Sequence, residues 1–181
     1  MNELGKPSEA MVTAFRGCVG EFATGVAVVT AEHEEVPAGM TLNSFTSVSL
    51  EPLLVLVSLG NGSRTLHATR ASGRFAVSFL ARGQTQIALE FSQPWAPFPL
   101  GHVARDREGF LPVADAVAVL RCRVERIEEA GDHALVLGEV SSITHGGGEP
   151  LVFHRGRFGG FDVDANVPAG HPIGIDEGSG W

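Results

Sequence analysis

The chain has 181 residues, 44% of them hydrophobic, and a formal charge of −8 from 13 Lys and Arg against 21 Asp and Glu. That length suits one domain with a substantial core, and the acidic balance argues against a general grip on nucleic acid, whose phosphates call for clustered cations. The longest strongly apolar run, Leu53–Leu59, is far short of the ~20 residues of a bilayer crossing, and Met1–Pro7 lacks a basic-then-apolar leader, so no membrane contact and a cytoplasmic location are expected.

Ser8 is placed to cap a helix whose apolar Met11, Phe15, Val19 and Phe22 recur at helical spacing, with Gly25 closing it; the stripe is expected to pack on the core. Val26–Thr30 and Val36–Met40 read as strands around an acidic tip, His33-Glu34-Glu35, and Val48–Leu50 and Leu53–Leu59 extend the sheet. Asn61-Gly62 turns the chain, and Ser63 caps a helix over Arg64–Ala71 that Gly73 ends. Phe75–Leu80 is a strand and Gln84–Phe91 a helix. Pro94, Pro97, Pro99 and Gly101 then force an irregular excursion to about Pro112, of a length that is usually functional or mobile.

Leu120, Cys122 and Val124 alternate with Arg121, Arg123 and Glu125, the pattern of a strand with one face in the core and one in water. Gly131-Asp132 turns into an antiparallel return over His133–Ile143, and after a glycine-rich loop Leu151–Arg157 is the last strand. Residues 8–161 thus form one domain, and 162–181, with Pro, Gly and acid but no Lys or Arg, a tail. Many short strands with few helices favour a mainly β, antiparallel barrel over a doubly wound sheet. Cys18 and Cys122 lack CxxC spacing and read as small buried apolar groups.

The familiar catalytic signatures are missing. Neither Gly60-Asn61-Gly62 nor Gly156-Arg157-Phe158-Gly159-Gly160 completes GxGxxG, and there is no Walker A lysine, HExxH or GxSxG. The seven histidines are scattered without metal-ligand spacing, so no metal is expected.

What stands out is the stretch from Thr41 to Thr65. Asn43, Ser44, Thr46 and Ser47 offer donors and acceptors to the polar edge of a planar ring, and Phe45 or Val48 offers apolar contact. An exposed strand face would alternate in the same way. Against that reading, Ser63 and Thr65 and the free amides of the following helix converge at its positive end, where an anion is stabilised, and Arg64 can add a charge-assisted contact. Arg64 with Arg70 and Arg74, and Arg155 with Arg157, are the basic spots open to a small anion; ordinary surface arginines are the alternative. Ledge and anion turn together suggest a flavin nucleotide site.

From Phe15 to Phe161 the chain resembles the flavin reductase family with an FMN-binding split barrel, the reductase components of two-component flavin monooxygenases. The signposts are Thr24-Gly25-Val26, Val28-Val29-Thr30, Asn43 to Leu50 before Glu51-Pro52, Ser63-Arg64-Thr65 and Gly73 to Val77. Further on come Leu120–Val124, Gly131-Asp132-His133, Gly138-Glu139-Val140, and Pro150 to Phe153 with Arg155 to Phe158.

The resemblance implies a mainly β, Greek-key-like split barrel with short helices, a homodimer, FMN or FAD near the subunit interface, and NADH or NADPH as donor. It implies that hydride passes from nicotinamide C4 to flavin N5 with no residue needed as acid or base, and that reduced flavin goes to a separate monooxygenase. A flavin carrier or sensor of the same fold, or a direct reductase of a bound substrate, are the alternatives. By the same resemblance Thr41 and Asn43–Ser47 flank the isoalloxazine, Ser63, Arg64 and Thr65 bind phosphate, Phe79 and Ala81 run beside the flavin, and His133, Arg157 and Phe158 lie near the nicotinamide.

Overall fold

A computed structural model describes residues 7–162; the tail expected over 162–181 lies, beyond Asp162, outside the described residues. Helix α1 (Glu9–Val19) leads into strands β1 (Thr24–Gly25), β2 (Ala27–His33), β3 (Val36–Leu42), β4 (Thr46–Leu50) and β5 (Leu53–Gly60). Helix α2 (Arg64–Ser72), β6 (Arg74–Phe79), helix α3 (Thr85–Phe91) and a 3-10 turn (Leu100–His102) follow. The long pair β7 (Ala118–Ala130) and β8 (His133–His145) and the short β9 (Val152–His154) and β10 (Arg157–Gly159) complete it.

Seven strands pair antiparallel in the order β3-β2-β6-β7-β8-β5-β4. Laid flat, their edges would sit ~29 Å apart at ~4.8 Å per strand, yet the chain passes from Leu42 on one edge to Thr46 on the other, a step that reaches at most ~14 Å. The sheet therefore curls until β3 and β4 approach, and Asn43–Phe45 bridges the slit between them. Its interior confirms the curl, since Ala27, Val29 and Leu42 from one end share a core with Val55, Val57 and Leu59 from the other, around Phe75, Val77 and Val136. The fold is mainly β and antiparallel, as expected.

β2 is buried on both faces. Val28 packs outward against Phe91 and Val113 in a second core, and the Thr30 hydroxyl donates to the Leu111 carbonyl at 2.7 Å. Ser78 on β6 accepts from the Val113 amide at 3.0 Å. The proline-rich excursion is thus a packed outer layer, with Phe110, Leu111 and Val113 buried.

That layer overturns one expectation on β7. Arg121, expected in water, is buried beneath it, its Nε donating to Asp106 at 2.5 Å and its Nη1 to Thr144 at 2.9 Å. Three further expectations change. The predicted last strand is two, because Arg155 (φ 49°) and Gly156 (φ 76°) turn it into the hairpin β9–β10, and β9 pairs with β1. Cys122 is buried as expected, but Cys18 is exposed.

The third concerns α1. Ser8 caps it, accepting from the Met11 amide at 3.3 Å, yet no residue of the helix is buried. Met11 (64% exposed), Phe15 (65%), Val19 (50%) and Phe22 (77%) turn away from the core they were expected to join, which β2 and its neighbours already fill. Among the described residues no helix is long and apolar enough to cross a membrane.

Candidate functional site

The site is built along edge strand β3 and the residues that follow it across the slit. Ser44 fastens the crossing: its hydroxyl accepts from the Ser58 amide at 3.1 Å and donates to the Ser58 carbonyl at 3.2 Å. Phe45 turns inward, edge-on to Phe79 with ring centroids 4.7 Å apart. Asn43 and Thr46 are left exposed on either side. The result is a ledge with polar groups along an apolar floor.

Above the ledge is a cleft of about 580 Å³ lined by Asn43, Ser44, Phe45, Thr46 and Phe79, with Val19 and Phe22 of the α1 segment as its far wall. Thr24 lines it too, and its buried Oγ1 has no hydrogen-bond partner among the described residues. A buried hydroxyl left unbonded beside a polar-edged, aromatic-floored cleft fits a planar ring that brings its own donors and acceptors. Asn43 is shared with a second cleft of about 370 Å³, where Thr41 and Leu42 face Leu89, Phe153 and Phe158. The Thr41 hydroxyl donates to the Ala88 carbonyl at 2.7 Å, which fixes α3 against β3.

Thr41 is shared in turn with a third cleft of about 160 Å³, between Gly39–Thr41 on one side and Gly62–Thr65 on the other. Here Ser63 is the N-cap of α2, accepting from the Leu66 amide at 3.1 Å. The hydroxyl proton remains free to donate, and the Arg64 and Thr65 amides have no intrahelical acceptor. This is the chemistry of an anion seat. The Arg64 guanidinium lies over it but is engaged: Nη2 donates to the carbonyls of Ala96 at 2.7 Å and Pro94 at 3.4 Å, so the arginine also holds the 94–96 loop beside the seat.

The structure thus brings together Thr41, Asn43, Ser44, Phe45, Thr46, Phe79, Ser63, Arg64, Thr65 and Phe158. Ser47 and Ala81 line none of these three clefts; Ala81 bridges to Pro150 and is held by Gln84. Arg157 lies in a neighbouring hollow with His154 and Gly160, which Phe158 also lines. His133 lines none of the three clefts. It pairs with Gly60 at the turn that precedes Ser63 and sits 2.8 Å from Asp132, whose carboxyl this hydrogen bond, and then the imidazole's charge, holds below the usual range. Leu89, Phe153 and the exposed Trp95 complete the walls. Sequence reasoning assigned none of them to the site; Phe153 stood among the signposts of the resemblance without a role, and Trp95, an aromatic among prolines, carried the other signal.

Comparison with known proteins shows the family. Residues 19–162 match the family model described as flavin reductase like domain. The FMN reductase (NADH) SmoA of Agrobacterium fabrum is 38% identical over 148 residues, covering 82% of this chain and 85% of that one. The reductase component of the 4-nitrophenol 4-monooxygenase/4-nitrocatechol 2-monooxygenase of Rhodococcus opacus is 38% identical over 147 residues, covering 81% and 80%. Among solved structures, the Streptomyces globisporus NADH:FAD oxidoreductase SgcE6 in complex with NAD and FAD fragments superposes with a TM-score of 0.80 at 38% identity, covering 90% of this chain and 99% of that one. A curled antiparallel sheet with a polar ledge leading to an anion seat is the scaffold of a flavin-handling reductase. The chain belongs to the flavin reductase like family.

Proposed function

We propose that the chain is an NADH-dependent flavin reductase that reduces FMN or FAD and supplies the reduced flavin to a separate monooxygenase. The observation that carries this is the continuity of ledge and anion seat. Asn43 links the ring cleft to the second, and Thr41 links the second to the cleft at Ser63–Thr65, so one flavin nucleotide can reach from the ring cleft along β3 to the anion seat and leave the Phe153–Phe158 side of the second cleft open. Bound there, the flavin supplies a two-electron acceptor at N5 and the nicotinamide supplies the hydride.

The protein's own residues bind and orient. Phe45 and Phe79 form the apolar floor, and Asn43, Thr46 and Thr24 present polar groups toward the ring's edge, where negative charge gathers during reduction. Ser63 and the Arg64 and Thr65 amides take the phosphate. Phe158 and Phe153 close the second cleft, where a nicotinamide can stack. No side chain is required to carry a proton in this scheme. Arg157, beside Phe158 in the neighbouring hollow, and His133, at the turn before Ser63, contribute from the rim.

The working unit is a homodimer. Val19 and Phe22 already wall the ring cleft, and with Met11 and Phe15 they leave an apolar stripe that a lone chain would expose to water. A second copy covering it completes the flavin site. Sedimentation of the wild type at micromolar concentration is expected to give a dimer, and Phe15→Glu with Phe22→Glu a monomer with weakened flavin binding; a monomeric wild type overturns the assembly. The cytoplasm, with its NADH pool, is the location this activity suits.

Activity is tested by following the loss of nicotinamide absorbance with NADH and FMN or FAD. Flavin-dependent oxidation is expected. Flavin binding without it would leave a carrier or sensor.

A further inference from the structure

Arg64 does more than overlie the anion seat, because the loop it holds is otherwise untied. On one side Ser92 ends α3, its hydroxyl donating to the Leu89 carbonyl at 2.7 Å. On the other, Phe98 is wedged edge-on to Phe91, with centroids 5.4 Å apart, over Gly39, where a β-carbon would sit 2.8 Å from Phe91 and 3.1 Å from Phe98. Between these anchors, among the described residues, Pro94–Pro97 makes no hydrogen bond to another element except the two it receives from Arg64 Nη2. Pro94 and Pro97 fix φ at both ends of this strap. Trp95 is thereby held out at the mouth of the third cleft, which it lines while 87% exposed.

That cleft suits an anion. Its volume of about 160 Å³ is small for a ring system and ample for one phosphate group, and among the described residues no carboxylate lines it. Thr65 lines it at 2% exposure, and its hydroxyl has no hydrogen-bond partner among the described residues. An unpaired polar group buried so deeply points to a ligand. Arg64 commits only Nη2 to the strap, so its Nε and Nη1 protons remain for that ligand. The indole of Trp95 donates through Nε1 and accepts nothing, so an anion is the polar partner it can take there.

We infer that Trp95 is a phosphate-recognising residue, carried by a strap that Arg64 couples to the seat. The inference rests on the seat being the flavin's phosphate site and adds to it a residue from another element. Phosphate in the seat takes the free guanidinium protons, which fixes Arg64 and, through it, the Pro94 and Ala96 carbonyls; the indole then turns from solvent and gives its N–H to the phosphate. The coupling is reciprocal: the factor by which the strap raises anion affinity is the factor by which the anion favours the closed strap. Riboflavin, which has no phosphate, leaves the strap open.

The chain has two Trp and no Tyr, so Trp181→Phe makes Trp95 its one strong fluorophore. Titration of that full-length protein with inorganic phosphate, against chloride at equal ionic strength, is expected to shift its emission to the blue and to reduce quenching by acrylamide. Arg64→Gln is expected to abolish both changes. Flavin titration is the second arm. Trp95→Phe keeps an aromatic ring without the donor, and is expected to bind FMN about tenfold more weakly, the scale of one charge-assisted hydrogen bond, with riboflavin affinity unchanged. Emission that ignores phosphate, a shift that persists in Arg64→Gln, or an unchanged FMN affinity in Trp95→Phe overturns the inference. If FMN and riboflavin fail to bind while phosphate still moves the emission, the strap stands and the flavin reading of the ledge falls.

Discussion

Ser44 and Ser58 are joined through a single hydroxyl, which takes the Ser58 amide proton and gives its own to the Ser58 carbonyl. The brace closes the slit of the curled sheet and sets the level of the ledge, while Asn43 and Thr46 stay exposed on either side. Ser44→Ala leaves both backbone groups unsatisfied in a half-buried position, which costs about 1–3 kcal/mol. Urea unfolding is expected to show a lower midpoint with an unchanged slope. A midpoint equal to the wild type would mean that the brace carries no energy.

At Ser63 a cap and a ligand contact share one side chain, and two substitutions separate them. Ser63→Ala loses the cap of α2 and about 1 kcal/mol of stability. Ser63→Asp keeps the cap and suits the helix dipole, but it sets a carboxylate where phosphate should sit. Two like charges ~4 Å apart near a protein surface repel by about 4 kcal/mol, so FMN affinity should fall well over tenfold in the aspartate variant. Riboflavin, which lacks the phosphate, is the control and should bind both variants alike. An aspartate variant that still prefers FMN over riboflavin would move the phosphate elsewhere.

The Asp106–Arg121 pair gives the protein an acid limit. Burial opposes the Asp106 carboxylate, but the Arg121 guanidinium and the amides of Phe110 and Glu108 outweigh it and hold its pKa below the usual aspartate range. A carboxyl depressed in the folded state contributes stability that is present above its unfolded pKa of ~3.9 and lost as pH falls through the folded value. Melting temperature should therefore hold this contribution down to about pH 4 and lose it below. Asp106→Asn should cost about 1.5–3 kcal/mol at neutral pH and flatten that acid limb. An unchanged limb would place the acid sensitivity in other carboxylates.

Gly138 on β8 lies under the Phe75 ring. A β-carbon built there would sit 2.5 Å from the ring tip and 3.0 Å from the Cys122 β-carbon, with Phe75 1% exposed and no room to yield. Gly138→Ala is expected to destabilise by about 1–3 kcal/mol through overpacking. Adding Phe75→Leu should recover part of that loss. Two independent, additive losses would mean that the residues do not compete for space.

What could be read from residues alone is what neighbours a few positions apart decide. The Ser8 and Ser63 caps each rest on a hydrogen bond spanning three residues, and the strand alternations on a side-chain period that any extended segment shows. The hydroxyl-rich ledge and the anion turn were legible for the same reason. The burial of Arg121 was not, because alternation names two faces but not what later covers one, and here the cover is a segment anchored through Thr30 and Ser78 on other strands. Nor was the direction of the α1 stripe: helical spacing shows that Met11, Phe15, Val19 and Phe22 want a partner surface, and folding filled the core without them. The joining of Asn43 to Ser63, and of Arg64 to the Pro94 and Ala96 carbonyls, arises only once the sheet curls and α2 lies across the hairpin, since contacts between residues so far apart follow from closure of the chain and not from any local pattern.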